Sequence, residues 1–290
     1  MEGTSAQTSR LVLNTRVNPS PSGSTVVDIT SPAAATLRSC PFSAARSTKI
    51  LIHGYLDKYD APYWRDMMTE FLKGEDLNVF RLDWDASSLP PITQAATNAI
   101  TVAGQVSQAI QYLKSAHNLN PATVHIIGHS LGGLVSGAIA QALREANIKV
   151  DRITGLDPAG QLSTGDATVV DTIVTTGAVP GSSRESIGHI NFMPNGGQVQ
   201  PGCGTTVCSH IKAMSLFTES INNQNVYSTQ CPSYAQFLSG SCSNQPRAVF
   251  GYHVDLSLGR RSPVKLYDSN HNAQNLCATA NAGRIPPVPC

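Results

Sequence analysis

Short apolar runs and longer helical stripes alternate along this chain. Residues 48–54 form a β-branched run closed by Gly54, and residues 78–84 form a second run. After Pro90-Pro91, the positions Ile100, Ala103, Val106, Ile110 and Leu113 fall at helical spacing. Residues 123–127 are β-branched again. Directly behind them, Leu131, Leu134, Val135, Ala138, Ile139, Ala142 and Leu143 make a helical stripe. Residues 152–156, 169–174 and 190–193 read as further strands, and residues 211–221 as an amphipathic helix. The opening stretch, residues 10–28, alternates weakly around Pro19, Pro21 and Gly23, the pattern of a hairpin-like edge. Strands separated by helices must be joined by crossovers. The pattern therefore predicts an α/β fold with a mainly parallel central sheet flanked by helices. No internal repeat or long linker divides it. A single domain over residues 1–270 is expected, with a cysteine-containing tail over 271–290.

Composition changes this picture in two places. The 20 basic and 19 acidic side chains nearly cancel, and charged residues make up only 13% of the 290. Such a surface has no general attraction for polyanions, so no nucleic-acid partner is expected. Seven cysteines, six of them in the last third, point to an oxidising compartment and a secreted protein. Residues 1–5 lack the basic and apolar regions of a signal peptide, so a processed form or a replaced start is expected. No CxxC pair supports a zinc knuckle, and no apolar run approaches the roughly 20 residues of a membrane span.

Candidate chemistry enters at Gly128-His129-Ser130-Leu131-Gly132, which fits G-x-S-x-G. The string recurs by chance, but here it lies between a β-branched run and a helical stripe. In that setting the serine occupies a strained turn and its hydroxyl projects from the sheet. A helix starting behind Ser130 also aims backbone N–H groups at a developing oxyanion. A serine hydroxyl needs a histidine to take its proton and an acid to orient that histidine, in the chain order Ser, Asp, His. Asp157, at a strand end in Gly155-Leu156-Asp157-Pro158, fits the acid; Asp166 sits in a turn and Asp171 inside a strand. Of His189, His210, His253 and His271, only His210 lies on a loop entering a helix, two residues after Cys208. His53-Gly54-Tyr55 ends an earlier strand, so the backbone N–H groups of Tyr55 and Leu131 are the natural oxyanion donors.

These residues, with Asp83-Trp84, Gly188-His189, Pro194-Asn195-Gly196-Gly197, Gln200-Pro201-Gly202-Cys203, Cys208-Ser209-His210, Cys231-Pro232-Ser233-Tyr234 and Gly240-Ser241-Cys242, resemble the animal pancreatic-lipase-like family. The resemblance runs over about residues 48–270 and implies the α/β-hydrolase fold. It implies a Ser130-Asp157-His210 triad with Tyr55 and Leu131 as the oxyanion hole. It also implies disulfides Cys203–Cys208 and Cys231–Cys242, leaving Cys40, Cys277 and Cys290 with one thiol over. The family's lid lies between the first two of these cysteines, here only Gly204, Thr205, Thr206 and Val207. Residues 177–186, a second covering loop in the family, are also short and polar. Both features resemble the phospholipase A1 and insect-type branch.

Several positions depart from the family. Gly133-Leu134 stand where Ala-His is usual, and Asn191 replaces a customary aspartate with no consequence apparent from sequence. The acidic cluster tied to calcium in larger members is missing after Asp157, so no metal and no cofactor are expected. The C-terminal β-sandwich of larger members is expected to be absent.

The expected function is a secreted, monomeric serine esterase cleaving acyl esters of lipids at a membrane or lipid surface, in the manner of a phospholipase A1. A triacylglycerol lipase or galactolipase without interfacial activation is the alternative. An esterase for small soluble esters and a non-enzymatic yolk-type lipid carrier are further readings, and the presence of Ser130 speaks against the carrier. The loop at residues 55–64, with Tyr59, Tyr63 and Trp64, is either a lipid contact or ordinary packing of Trp64.

Overall fold

The computed structural model describes residues 9–29, 40–89, 91–160, 162–177, 187–260 and 262–268. It divides into two compact units, Met1–Val170 and Asp171–Cys290. The tail at 271–290, with Cys277 and Cys290, lies outside the described residues, as do His271 and residues 178–186.

In the first unit, β3 (Thr48–Ile52) runs parallel to both β4 (Asn78–Asp83) and β5 (Val124–His129), and β5 runs parallel to β6 (Arg152–Leu156). Every residue of these four strands is buried. A parallel sheet covered on both faces has no solvent side, so consecutive apolar residues such as Ile50-Leu51-Ile52 and Ile126-Ile127 replace alternation, with Lys49, Asn78, Arg81 and Arg152 buried among them. The hairpin at the start is present. β1 (Arg10–Asn14) and β2 (Thr25–Asp28) pair antiparallel, and β1 continues antiparallel onto β4.

Helices cover this sheet. α1 (Pro62–Gly74) was not marked by the periodicity above. It nevertheless buries Trp64, Met67, Met68, Phe71 and Leu72 at helical spacing behind a proline in its first turn. α2 (Asp85–Ser88) is a single turn. α3 (Ile92–His117) and α4 (Leu131–Glu145) pack on each other. One expectation for α3 fails. Its buried stripe is Ala95, Ala99, Val102, Ala103, Val106, Ala109, Ile110 and Leu113, whereas Ile100 is 55% exposed. Ala103, Val106, Ile110 and Leu113 are buried as expected, and Ala99 takes the place on this face expected of Ile100.

β7 (Val169–Ile173), which lies in the second unit from Asp171 on, runs parallel to β8 (Ile190–Pro194), and β8 runs parallel to β11 (Val264–Asp268). β9 (Tyr227–Gln230) and β10 (Arg247–Val249) continue them antiparallel at the edge. These last three strands are too short and too polar to show as a run. α6 (Tyr234–Leu238) stacks Tyr234 and Phe237 against Tyr267 of β11, beside the buried Cys231–Cys242 disulfide. Asn191 now has a physical reason. Its buried carboxamide donates to Gly188 O (2.8 Å) and Val264 O (3.2 Å), and accepts from Gly188 N and Thr172 Oγ1 (both 3.0 Å). An aspartate could not donate to the two carbonyls.

Candidate active site

Strand β5 ends at His129 and helix α4 starts at Leu131, so Ser130 alone makes the turn. Its backbone sits at φ 53° and ψ −122°, a conformation costing about 1–3 kcal/mol for a residue with a Cβ. Bonds on both sides hold it there. Ser130 N donates to Leu156 O (3.1 Å), while Ser130 O accepts from Gly133 N (2.9 Å) and Ala159 N (2.8 Å). The helix packs too closely on β3 to tolerate a side chain at Gly132. A Cβ there would lie 2.3 Å from Ile52 O and 2.9 Å from His53 O. Gly133 likewise meets Pro158, 2.5 Å from where its Cβ would be, which accounts for a glycine at this departure from the family pattern.

Asp157 follows the neighbouring strand, one residue past the pair His129–Leu156. It is fully buried and also has positive φ (40°), which an aspartate tolerates better than a branched residue. Gly54 follows the strand on the other side of β5, where a Cβ would approach Ser130 Cβ to 2.8 Å. Gly54, Ser130 and Asp157 therefore converge at the carboxyl ends of β3, β5 and β6. Leu131 is the first residue of α4, so its amide has no intrahelical acceptor. Tyr55, half-buried, follows Gly54 directly.

The segment after Gly54 is anchored at several points. Asp57 accepts from Tyr63 Oη and from Trp64 Nε1 (3.0 Å). Asp85 Oδ1 lies 3.0 Å from His53 Nε2 and accepts from Tyr59 N (3.1 Å). Its carboxyl is held below the usual range: burial, the largest single influence, acts the other way, but the His53 hydrogen bond and charge, the Tyr59 amide and the Lys58 charge together outweigh it. The buried Arg81 guanidinium lies 5.5 Å from the centre of the Tyr59 ring. Trp64 is 1% exposed, so of the two readings of this loop the packing one holds for Trp64. Leu56, Lys58 and Asp60 of this segment face solvent. Leu56 (62% exposed) donates its N–H to Ser88 O, next to Leu89 (54%), and Ile92 (51%) follows.

His210 belongs to the second unit, in α5 (Thr206–Asn222). The helix starts five residues earlier than expected, so His210 is inside it rather than at its entrance. Thr205 caps it, accepting from Cys208 N (3.1 Å). The Cys203–Cys208 disulfide forms as expected, but Thr206, Val207 and Cys208 are helical. The loop is thereby reduced to Gly204 and Thr205. Next to His210, buried Ser209 accepts from Gln200 N (3.0 Å). The Gln200 carboxamide donates to Pro194 O and Gln198 O (both 2.9 Å). The sequence pattern assigns Gln200 no role, and Asp57 and Asp85 do not stand out from it. A lone carboxamide or carboxylate has no periodic signal, and only its partners reveal it.

Residues 3–269 match the family model described as Lipase. A pancreatic triacylglycerol lipase of Equus caballus is 31% identical over 293 residues, covering 88% of this chain and 62% of its own length. That of Myocastor coypus is 33% identical, covering 79% and 58%. The inactive pancreatic lipase-related protein 1 of Homo sapiens is 32% identical, covering 78% and 56%. The chain thus spans roughly three-fifths of the length of the curated relatives it matches. With the parallel strands, the turn at Ser130 and the matched residues together, the chain belongs to the Lipase family and has its α/β-hydrolase fold.

Proposed function

We propose that this protein is a secreted serine hydrolase that cleaves carboxylic acyl esters of lipids. The observation that carries the reading is Ser130. It is held at positive φ between β5 and α4, with Asp157 at the adjacent strand end. Ser130 Oγ attacks the ester carbonyl carbon while His210, on the second unit, takes the hydroxyl proton. Asp157 orients the imidazole and stabilises its charged form. The backbone N–H groups of Tyr55 and Leu131 stabilise the tetrahedral oxyanion. Collapse breaks the bond to the alcohol oxygen, which leaves with the proton from His210. Water then repeats the sequence on the acyl-enzyme and releases the fatty acid. Exposed Leu56, two residues after Gly54, and exposed Leu89, next to the Ser88 carbonyl that binds the Leu56 N–H, support a lipid surface as the partner.

A loop reduced to Gly204 and Thr205 leaves little to cover an acyl groove and supports a substrate with a bulky polar head, such as a phospholipid. The pancreatic triacylglycerol lipases among the relatives support neutral lipid equally. Products from a mixed-acyl phosphatidylcholine and from a triacylglycerol separate the two. Release of the sn-1 chain from the phospholipid is the outcome for a phospholipase A1. Ser130→Ala should cut turnover by about 10⁴-fold or more while leaving the thermal melt in place. Turnover surviving in that variant would overturn the assignment.

A further inference from the structure

We infer that Asp57 is a positioning residue that sets the Tyr55 amide for the oxyanion, an inference that rests on the function proposed above. Tyr55 is followed by Leu56 at φ 57°, a left-handed position unfavourable for a leucine, and then by Asp57. A strained turn of this kind persists only where its surroundings over-determine it. Before it, Gly54 lies against Ser130. At the turn itself, Leu56 N is bound to Ser88 O (3.3 Å). After it, Asp57 accepts from two side chains at the start of α1, Tyr63 Oη and Trp64 Nε1. Trp64 is fully buried in the core, so the carboxylate ties the loop to an immobile point. Burial and the Asp57 carboxylate both push the Tyr63 hydroxyl well above its usual range, so it stays a proton donor throughout the working pH range.

Asp57 is two residues from the donor and its carboxylate faces Tyr63 and Trp64. It acts by fixing where Tyr55 N–H points, not by touching substrate. Removing an oxyanion donor outright costs about 10²–10³ in kcat; letting one drift should cost less, roughly 10–100-fold. The test is steady-state hydrolysis of a short-chain aryl ester by Asp57→Ala, Asp57→Asn, Tyr63→Phe and Trp64→Phe, with thermal melts for each. The expected result is a fall in kcat for Asp57→Ala with KM within about threefold, partly restored in Asp57→Asn. Adding Tyr63→Phe to Asp57→Ala should change kcat little, since the pair acts as a unit. If Asp57→Ala does not fold, reduced kcat at unchanged KM in Tyr63→Phe or Trp64→Phe supports the inference in its place. A lowered melting temperature with wild-type kcat, or a rise in KM alone, would overturn the inference. Turnover surviving Ser130→Ala would instead bring down the function on which it rests.

Discussion

The two units hold their catalytic candidates in place by different means. In the first, Ser130, Asp157 and Gly54 sit at the ends of adjacent parallel strands, and their geometry comes from backbone ladders and from contacts too close for a side chain. In the second, His210 rides on α5, held by the Cys203–Cys208 disulfide, the Thr205 cap and the Gln200–Ser209 bond. The first arrangement has no slack, because backbone atoms cannot move aside. The second is assembled from separable attachments, each worth a few kcal/mol at most. Substitutions in the first unit should fail abruptly, and those in the second should grade.

The largest expected effect is at Gly132. Gly132→Ala would drive a methyl to 2.3 Å from Ile52 O, so a loss of about 3 kcal/mol or more and collapse of turnover are expected in thermal melts and ester hydrolysis. A variant that melts and turns over normally would show that α4 can slide, and the contrast would break. Next are the disulfides. Cys231 and Cys242 are 11 apart in sequence and Cys203 and Cys208 only 5, so replacing each pair with serine should cost about 3 and about 2 kcal/mol by loop entropy. Activity should follow the opposite order, because only the shorter bridge adjoins His210. Equal losses of kcat in both double variants would remove the special role given to the 203–208 bridge. Within the helices the contrast is one of burial. Ile110→Ala should cost about 2–5 kcal/mol, whereas Ile100→Gln should stay within about 0.5 kcal/mol, measured by denaturant unfolding.

Much of the first unit is legible in the sequence alone. β3, β4, β5 and β6 are legible because a strand buried on both faces can be apolar at consecutive positions, as at Ile50-Leu51-Ile52 and Ile126-Ile127, although Lys49, Arg81 and Arg152 are buried among them. The turn at Ser130 is readable because a strand run and a helical stripe meet there with glycines on either side. α1 carries a legible stripe in Trp64, Met67, Met68, Phe71 and Leu72, although the expected elements did not include it. The strands after residue 222 leave almost no signal. β9 to β11 are three to five residues long, and buried polar residues such as Ser228, which donates to Asp268 across two of them, interrupt any apolar run.

By itself the sequence determined the alternation of strand and helix, the nucleophile turn, the order of Ser130, Asp157 and His210, and the near-neutral charge. All of these are local or compositional properties. Only the tertiary structure decided that Ile100 faces solvent and that α5 begins at Thr206, consuming most of the short loop. The same holds for the amide required at Asn191 and for Asp57 tying the Tyr55 loop to a buried tryptophan. Each depends on partners distant in sequence or on the packing of one particular face. A period of 3.6 or 2 says which residues share a face, but not which neighbour that face will meet.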